Sequence, residues 1–130
     1  MCGLAGFLRT PRTPEREAHQ RWVSAMGQAI MHRGPDAGAT WLDEHIAMAH
    51  RRLSILDLSD AGTQPMVSAS GRYVIAFNGE IYNFQTLKNE LGEQGCRFRT
   101  RTDTEVLLIL YERFGPACLD RLNGMFAIAI

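Results

Sequence analysis

Hydrophobic residues recur at helical spacing in three stretches of the chain, and each stretch predicts a helix. On the first, residues 14–31 after an N-cap at Thr13, one face carries Trp22, Met26, Ala29 and Ile30. The second begins at a cap residue, Asn83, and the third begins at the capping-box sequence of residues 102–105 and ends before Gly115. The third is apolar almost all round, so we expect it to be buried.

Shorter apolar runs between turn signals predict strands. The strands or extended segments expected from this pattern are residues 1–9, 39–42, 46–50, 53–58, 73–77, 97–100 and 125–130. The second and third of these should form a hairpin around Asp43 and Glu44. As a local dipeptide, Asn78-Gly79 indicates a turn that ends the strand before it. Helices and hairpin-like strand pairs together predict an α+β fold of two layers or more, not a purely parallel sheet.

Composition narrows the class of protein. The 130 residues are enough for one domain, and 14 Lys+Arg balance 14 Asp+Glu, so no net positive charge favours nucleic acid or a membrane surface. No apolar run approaches the roughly 18 residues of a membrane span. Three scattered cysteines form neither a disulfide framework nor a zinc pattern, which favours reduced thiols in the cytoplasm. An apolar strand at the very end, residues 126–130, predicts that the sequence is part of a longer protein.

Cys2 is the residue whose chemistry is most suggestive of a function. If Met1 is removed, Cys2 carries its own α-amine, and an amine with a reference pKa of about 8 can accept the thiol proton near neutral pH. The cysteine would then be a nucleophile with a built-in general base. On position alone, the commoner interpretation is a small apolar residue in an edge strand.

The order of several motifs favours the nucleophile. Five segments, residues 2–6, 32–36, 50–55, 77–83 and 102–105, closely resemble the N-terminal glutaminase domain of glutamine-hydrolysing asparagine synthetase, a class II amidotransferase. The resemblance covers residues 2–130. The sequence Gly-Glu-Ile-Tyr-Asn at residues 79–83 points to the asparagine-synthetase branch.

The resemblance implies a role for each matching residue. Cys2 is the nucleophile, Asn78 and Gly79 form the oxyanion hole, Arg52 holds the substrate α-carboxylate and Asp103 its α-ammonium group. The remaining pocket residues that it implies are Leu53, Ser54, Ile55, Leu56 and Glu80. Two of these assignments have a structural alternative: Asn78-Gly79 as a turn, and Asp103 as an acidic residue favoured in the first turn of a helix, a role that is compatible with substrate binding.

The same resemblance implies a fold and an activity. The fold is a four-layer α/β/β/α N-terminal-nucleophile sandwich, of which residues 1–130 would be an incomplete domain, truncated at its C-terminal end. The activity is hydrolysis of L-glutamine to glutamate and ammonia through a Cys2 thioester. In the family, a separate synthetase domain uses ATP and Mg²⁺ to amidate aspartate to asparagine with that ammonia. No metal or cofactor is expected in residues 1–130, which lack a Gly-rich phosphate loop followed by Lys.

Two other functions are open from the sequence. One is an amidotransferase that delivers ammonia to a different acceptor. The other is a catalytically idle scaffold that keeps the glutamine pocket and is completed by a partner chain. The oligomeric state, a homodimer included, is also open.

Overall fold

Two antiparallel three-stranded sheets form the frame of the protein, which a computed structural model describes for residues 2–9 and 15–130. The first sheet has the order β1-β3-β2, with β1 at Gly3–Leu8, β2 at Ala37–Leu42 and β3 at Ile46–Arg52. The second has the order β4-β5-β6, with β4 at Met66–Val67, β5 at Val74–Ile81 and β6 at Gly124–Ala129. The β2–β3 hairpin is confirmed, and so is the mixture of helices and sheets.

Each sheet carries its own helices. Helix α1, Arg16–Ala29, packs on the first sheet around Val23, Ala47 and Ala49. Helices α2, Phe84–Glu93, and α3, Asp103–Phe114, cover β5 with a larger core. As predicted, α3 is largely buried, although Arg113 and Phe114 at its C-terminal end are exposed, and it ends before Gly115, whose φ is 59°. None of the described helices is long and apolar enough to cross a membrane.

The buried face of α1 differs from the predicted one. Its buried residues are His19, Val23 and Gly27, whereas Trp22 is 47% exposed and Ala29 is exposed as well. A pattern that counts only apolar residues missed His19, which packs against the rings of Phe7 and Trp22, and Gly27, which allows close approach to the sheet. The predicted breaker and cap at residues 10–14 lie outside the described residues.

The turn predicted at Asn78-Gly79 is wrong, because β5 continues through both residues. Asn78 pairs with Ala127 and Gly79 with Phe126 in the antiparallel ladder with β6. Neither has a positive φ. A Cβ at position 79 would overlap the Met125 carbonyl oxygen, so glycine is needed here because β6 approaches closely.

The strand predicted at residues 97–100 is also wrong, and residues 53–58, expected to be a strand or an extended segment, form no strand; both segments are irregular. Their amides are bound by side chains instead of a neighbouring strand. The Ser54 N–H donates to Asp36 at 2.8 Å, and the Thr100 N–H donates to Glu105 at 2.7 Å. Asn83 occupies the N-cap of α2, but its side chain does not cap the helix; it contacts the backbone of residues 121 and 123. A 3-10 helix, Gly115–Arg121, follows α3.

The start of α3 is fixed by Thr102 and Glu105. The Thr102 hydroxyl accepts a hydrogen bond from the Glu105 N–H at 3.3 Å, as a capping box predicts. The Glu105 carboxylate does not return to the cap residue. It accepts from the Arg99 N–H at 2.9 Å and from both the N–H and the hydroxyl of Thr100. Glu105 is only 3% exposed, so it ties residues 99–102 to the helix from inside the protein.

We expect Glu105→Gln to destabilise the protein by about 2–3 kcal/mol, because an amide NH2 would replace an acceptor oxygen that faces N–H donors. Urea denaturation measures this change in the free energy of unfolding. The exposed Glu93→Gln variant is the matched control and should lie near zero. An equal, small change in both variants would contradict the proposed anchoring.

Candidate functional site

A cavity of about 140 Å³ opens where the end of β3, the middle of β5 and the start of α3 approach one another. Most of the residues singled out in the sequence line it: Cys2, Arg52, Leu53, Ile55, Leu56, Gly79, Glu80 and Asp103. Ser54 and Asn78 are not among the lining residues. Further lining residues were missed by the sequence analysis: Gly62, Gln64, Phe77, Thr102, Thr104 and Met125.

The Cys2 thiol lies at the entrance to the irregular segment that follows β3. Its Sγ accepts a hydrogen bond from the Leu53 N–H at 3.4 Å and lies 3.7 Å from the Leu53 carbonyl oxygen. An N–H directed at sulfur is complementary to negative charge on it. The Cys2 carbonyl in turn accepts from Arg33 Nε at 3.4 Å, and Asp36 binds the Ser54 amide. The motif at residues 32–36 therefore fixes the surroundings of the thiol.

Arg52 brings a positive charge into the cavity. Its guanidinium donates through Nη1 to the Ser59 carbonyl at 2.7 Å and through Nη2 to the Asp57 carbonyl. Arg52 is 6% exposed, and within the described part of the chain no carboxylate forms an ion pair with it. Gly62 packs against the guanidinium so closely that a Cβ would overlap Nη2. A buried cation without a counter-ion favours an anionic ligand.

Asp103 brings a negative charge to the same cavity. It is 6% exposed, and its Oδ2 accepts a hydrogen bond from the Ile81 N–H at 3.1 Å. Burial raises the pKa of Asp103 above its ordinary value, and the charge of Glu80 adds to this increase, although backbone N–H groups act in the opposite direction. No cation pairs with Asp103 among residues 2–9 and 15–130. A cationic ligand group would stabilise the ionised form.

Strand β5 directs alternate amides into this region. In an antiparallel ladder, the N–H groups of successive residues point to opposite sides of the strand. The Tyr82 N–H donates to the Asn123 carbonyl at 2.7 Å on the β6 side, so the N–H groups of Phe77, Gly79 and Ile81 point away from β6. The Phe77 N–H donates to Gln64 Oε1 at 2.6 Å, and the Ile81 N–H donates to Asp103. The Gly79 N–H lies between them on the cavity side. It is therefore a candidate donor to a charge that develops on a bound ligand.

Asn78 is the predicted oxyanion-hole residue that does not line the cavity. Its Oδ1 is buried without a hydrogen-bond partner among the described residues. The structure thus brings Cys2, Gly79, Arg52 and Asp103 to one cavity but does not place Asn78 on its wall.

Gln64 is a buried residue that sequence reasoning missed. In addition to accepting from Phe77, it donates through Nε2 to the Thr104 hydroxyl at 3.1 Å, which connects β5 to the first turn of α3. Gln64 takes the place of a strand partner for Phe77 just before β4 begins. Nothing in the hydrophobic pattern marks it, because it lies in a segment that the sequence identifies only as a loop.

His50 connects the two sheets behind the cavity. Its Nε2–H donates to the Phe77 carbonyl at 3.0 Å, and the residue is 1% exposed. Burial lowers the pKa of His50 to about 4, although the hydrogen bond to Phe77 acts in the opposite direction. The imidazole is therefore neutral near pH 7, and it serves as a link between the sheets.

His50 should make the protein sensitive to acid. Below its unfolded pKa of 6.5 the unfolded chain binds a proton that the folded state excludes until about pH 4. Stability should therefore fall by about 3 kcal/mol as the pH decreases from about 7 to 4. The His50→Gln variant keeps an N–H donor but does not take up the proton. Its free energy of unfolding, measured by urea denaturation at each pH, should therefore lack this part of the decrease. His45→Gln, at an exposed histidine, should retain the wild-type slope; equal slopes in all three proteins would refute the assignment to His50.

Metal ligands do not cluster in the described residues: no group of three or more His, Cys, Asp or Glu is placed to hold an ion there. The polar side chains that line the cavity are instead one thiol, one guanidinium, two carboxylates, one carboxamide and two hydroxyls.

A thiol beside two unpaired opposite charges makes a cavity suited to an amino acid whose side chain reaches the sulfur. The chain belongs to the glutamine amidotransferase domain family, whose model matches residues 1–130. This confirms the family predicted from the sequence motifs.

Curated relatives cover the whole chain. Asparagine synthetase [glutamine-hydrolyzing] 1 of Bacillus subtilis (strain 168) is 40% identical over 130 residues, and asparagine synthetase B [glutamine-hydrolyzing] of Escherichia coli (strain K12) is 44% identical. The alignments span 100% of this chain but only 20% and 23% of those proteins. A more distant relative, amidase chry2 of Gibberella zeae, is 32% identical over 139 residues, 21% of its length. The chain thus spans about a fifth of the length of the relatives it matches.

Proposed function

We propose that this domain hydrolyses L-glutamine to glutamate and ammonia, with Cys2 as the nucleophile. The observation that supports this most strongly is the pair of buried, unpaired charges, Arg52 and Asp103, in the cavity that also contains the thiol. An α-carboxylate would give Arg52 its missing partner, and an α-ammonium group would do the same for Asp103. A ligand bound in this way extends its side chain toward Cys2.

The chemistry follows from the groups around the sulfur. The Cys2 thiolate attacks the γ-amide carbon, and the carbonyl oxygen becomes an oxyanion that the Gly79 N–H can stabilise. The amide nitrogen takes the proton that came from the thiol and leaves as ammonia as the C–N bond breaks. Water then cleaves the γ-glutamyl thioester, which releases glutamate and restores the Cys2 thiol. In this scheme the α-amine of Cys2 accepts the thiol proton, so Met1 must be removed. We assign Asn78 to the oxyanion hole as well, which requires its side chain to reach the cavity when glutamine is bound.

The finer fold and the fate of the ammonia are part of the same proposal. The two sheets, with α1 outside one and α2 and α3 outside the other, fit a four-layer α/β/β/α N-terminal-nucleophile sandwich. By similarity to the asparagine synthetases, we propose that the ammonia amidates aspartate in a synthetase domain that uses ATP and Mg²⁺. Free cysteines at positions 2, 96 and 118 fit a reducing, cytoplasmic location.

One comparison supports a different acceptor for the ammonia. The similarity to amidase chry2 extends over the whole chain, so the same kind of domain occurs in a protein that is not named as a synthetase. The groups in the cavity account for glutamine hydrolysis and do not identify the acceptor of the ammonia. Transfer of ammonia to an acceptor other than aspartate is therefore the alternative proposal.

The hydrolysis is tested by glutamate release from L-glutamine, measured beside two analogues that each lack one charged group. Removal of the α-amine or of the α-carboxylate from the substrate should reduce kcat/KM by about 100-fold or more, since each leaves a buried charge unpaired. Intact mass spectrometry should show loss of Met1 and one covalent adduct with a glutamine-shaped electrophile. If wild-type protein without Met1 releases no glutamate and forms no adduct, the idle scaffold is the correct alternative.

A further inference from the structure

We propose that Asp57 is a positioning residue that holds the two charged ends of the amino-acid site in one geometry. The inference rests on the proposed glutamine hydrolysis. Asp57 does not line the cavity; it lies behind Leu56 in the irregular segment after β3. From there it contacts both Arg52 and the turn that precedes Asp103.

The first contact fixes the guanidinium. The Asp57 carbonyl accepts from Arg52 Nη2, and the neighbouring Ser59 carbonyl accepts from Nη1. These two carbonyls are held in place by the Asp57 side chain, whose Oδ1 accepts from the Ser59 N–H at 2.9 Å and from the Ser59 hydroxyl at 2.7 Å. The direction of the Arg52 side chain therefore depends on a turn closed by the Asp57 carboxylate.

The second contact reaches the opposite end of the site. Asp57 Oδ2 accepts from the Arg101 N–H at 2.9 Å, and Arg101 lies two residues before Asp103. The Asp57 carboxylate thus connects the segment that orients Arg52 to the segment that begins α3 and positions Asp103. A shift of either segment would change the separation between the two charges that bind the substrate.

The contact needs a carboxylate and not merely a polar side chain. Both oxygens are acceptors, Oδ1 for Ser59 and Oδ2 for Arg101, so an asparagine would turn an NH2 group toward one of these N–H donors. Hydrogen bonds from the Ser59 side chain and from the Arg101 and Ser59 amides lower the pKa of Asp57 to about 2. The group is therefore ionised throughout the pH range in which the enzyme would act.

The test compares Asp57→Asn with the matched variant Asp60→Asn, which removes the same charge from an exposed residue nearby. We expect Asp57→Asn to raise the KM for L-glutamine by about 10- to 100-fold with kcat within about threefold of wild type. The rate of Cys2 alkylation by iodoacetamide, which carries no amino-acid end, should be unchanged. Asp60→Asn should behave as wild type in all three measurements.

The outcomes separate this inference from the proposed function. An unchanged KM in Asp57→Asn overturns the inference, and so does an equal loss of iodoacetamide reactivity, which would indicate a general structural defect. If Asp57→Asn does not fold, Ser59→Ala takes its place, with an expected KM increase of about two- to fivefold, and an unchanged KM there overturns the inference. If wild-type protein does not hydrolyse glutamine, the proposed function fails and this inference fails with it.

Discussion

Replacement of Cys2 by alanine should lower kcat for glutamine hydrolysis by about 10⁴-fold or more, while the free energy of unfolding changes little. The large loss is expected because, among the described residues, Cys2 is the only cysteine that lines the cavity, and the neighbouring hydrogen-bond donors cannot form the thioester intermediate. Glutamine binding should persist, since Arg52 and Asp103 remain. Glutamate release measures kcat, and calorimetric titration with glutamine measures whether binding persists.

The other half-buried cysteine gives the control for this variant. Cys96 lies beside the core of α2 and α3, away from the cavity, so Cys96→Ala should keep wild-type kcat and retain the glutamine-shaped electrophile adduct. If Cys2→Ala releases glutamate as fast as the wild type, the nucleophile has been misassigned and the proposed mechanism is wrong.

The sequence could predict the local structure around two of the charged site residues, but not that they meet. Residues 50–55 lie at the end of β3, and residues 102–105 form the first turn of α3. Arg52 and Asp103 are placed by these local structures. Their convergence depends on the tertiary fold, and here the resemblance to a family supplied what periodicity could not.

The failures of sequence reasoning have a common physical origin. Asn78-Gly79 favours a turn locally, but pairing with β6 overrides that preference and uses the missing Cβ for close strand approach. Likewise, residues 97–100 look like a strand because they alternate, yet the buried Glu105 carboxylate captures their amides. In the first place a distant strand overrides the local preference, and in the second a buried side chain five or six residues away does so.

Gln64 and Asp57 illustrate a second limit. Both act through hydrogen bonds to backbone groups more than ten residues away, so neither leaves a mark on hydrophobic spacing. A polar residue in a loop is normally solvated, and only its partners show that it is structural. Residues that support a site from behind are therefore the part of this protein that needed the structure.

Loss of the Arg52 charge should cause the second large decrease in activity. We expect Arg52→Leu to reduce kcat/KM for L-glutamine by about 10²- to 10³-fold, mostly through KM, because the substrate α-carboxylate would enter a buried site without its cation. Arg52→Lys should recover only a small part of this loss. A single ammonium group cannot bind the carbonyls of Asp57 and Ser59 and also present a planar pair of donors to a carboxylate.

The adjacent arginine separates a specific effect from a general loss of positive charge. Arg51 points to the other face of β3, where its Nε donates to the Gly27 carbonyl at 3.0 Å, so Arg51→Lys should leave KM for glutamine near the wild-type value. A substrate analogue without the α-carboxylate sharpens the comparison, because Arg52→Leu should process it no worse than the wild type does. If Arg52→Leu lowers kcat/KM equally for glutamine and for that analogue, Arg52 acts on the fold of the 53–59 segment and not on the carboxylate.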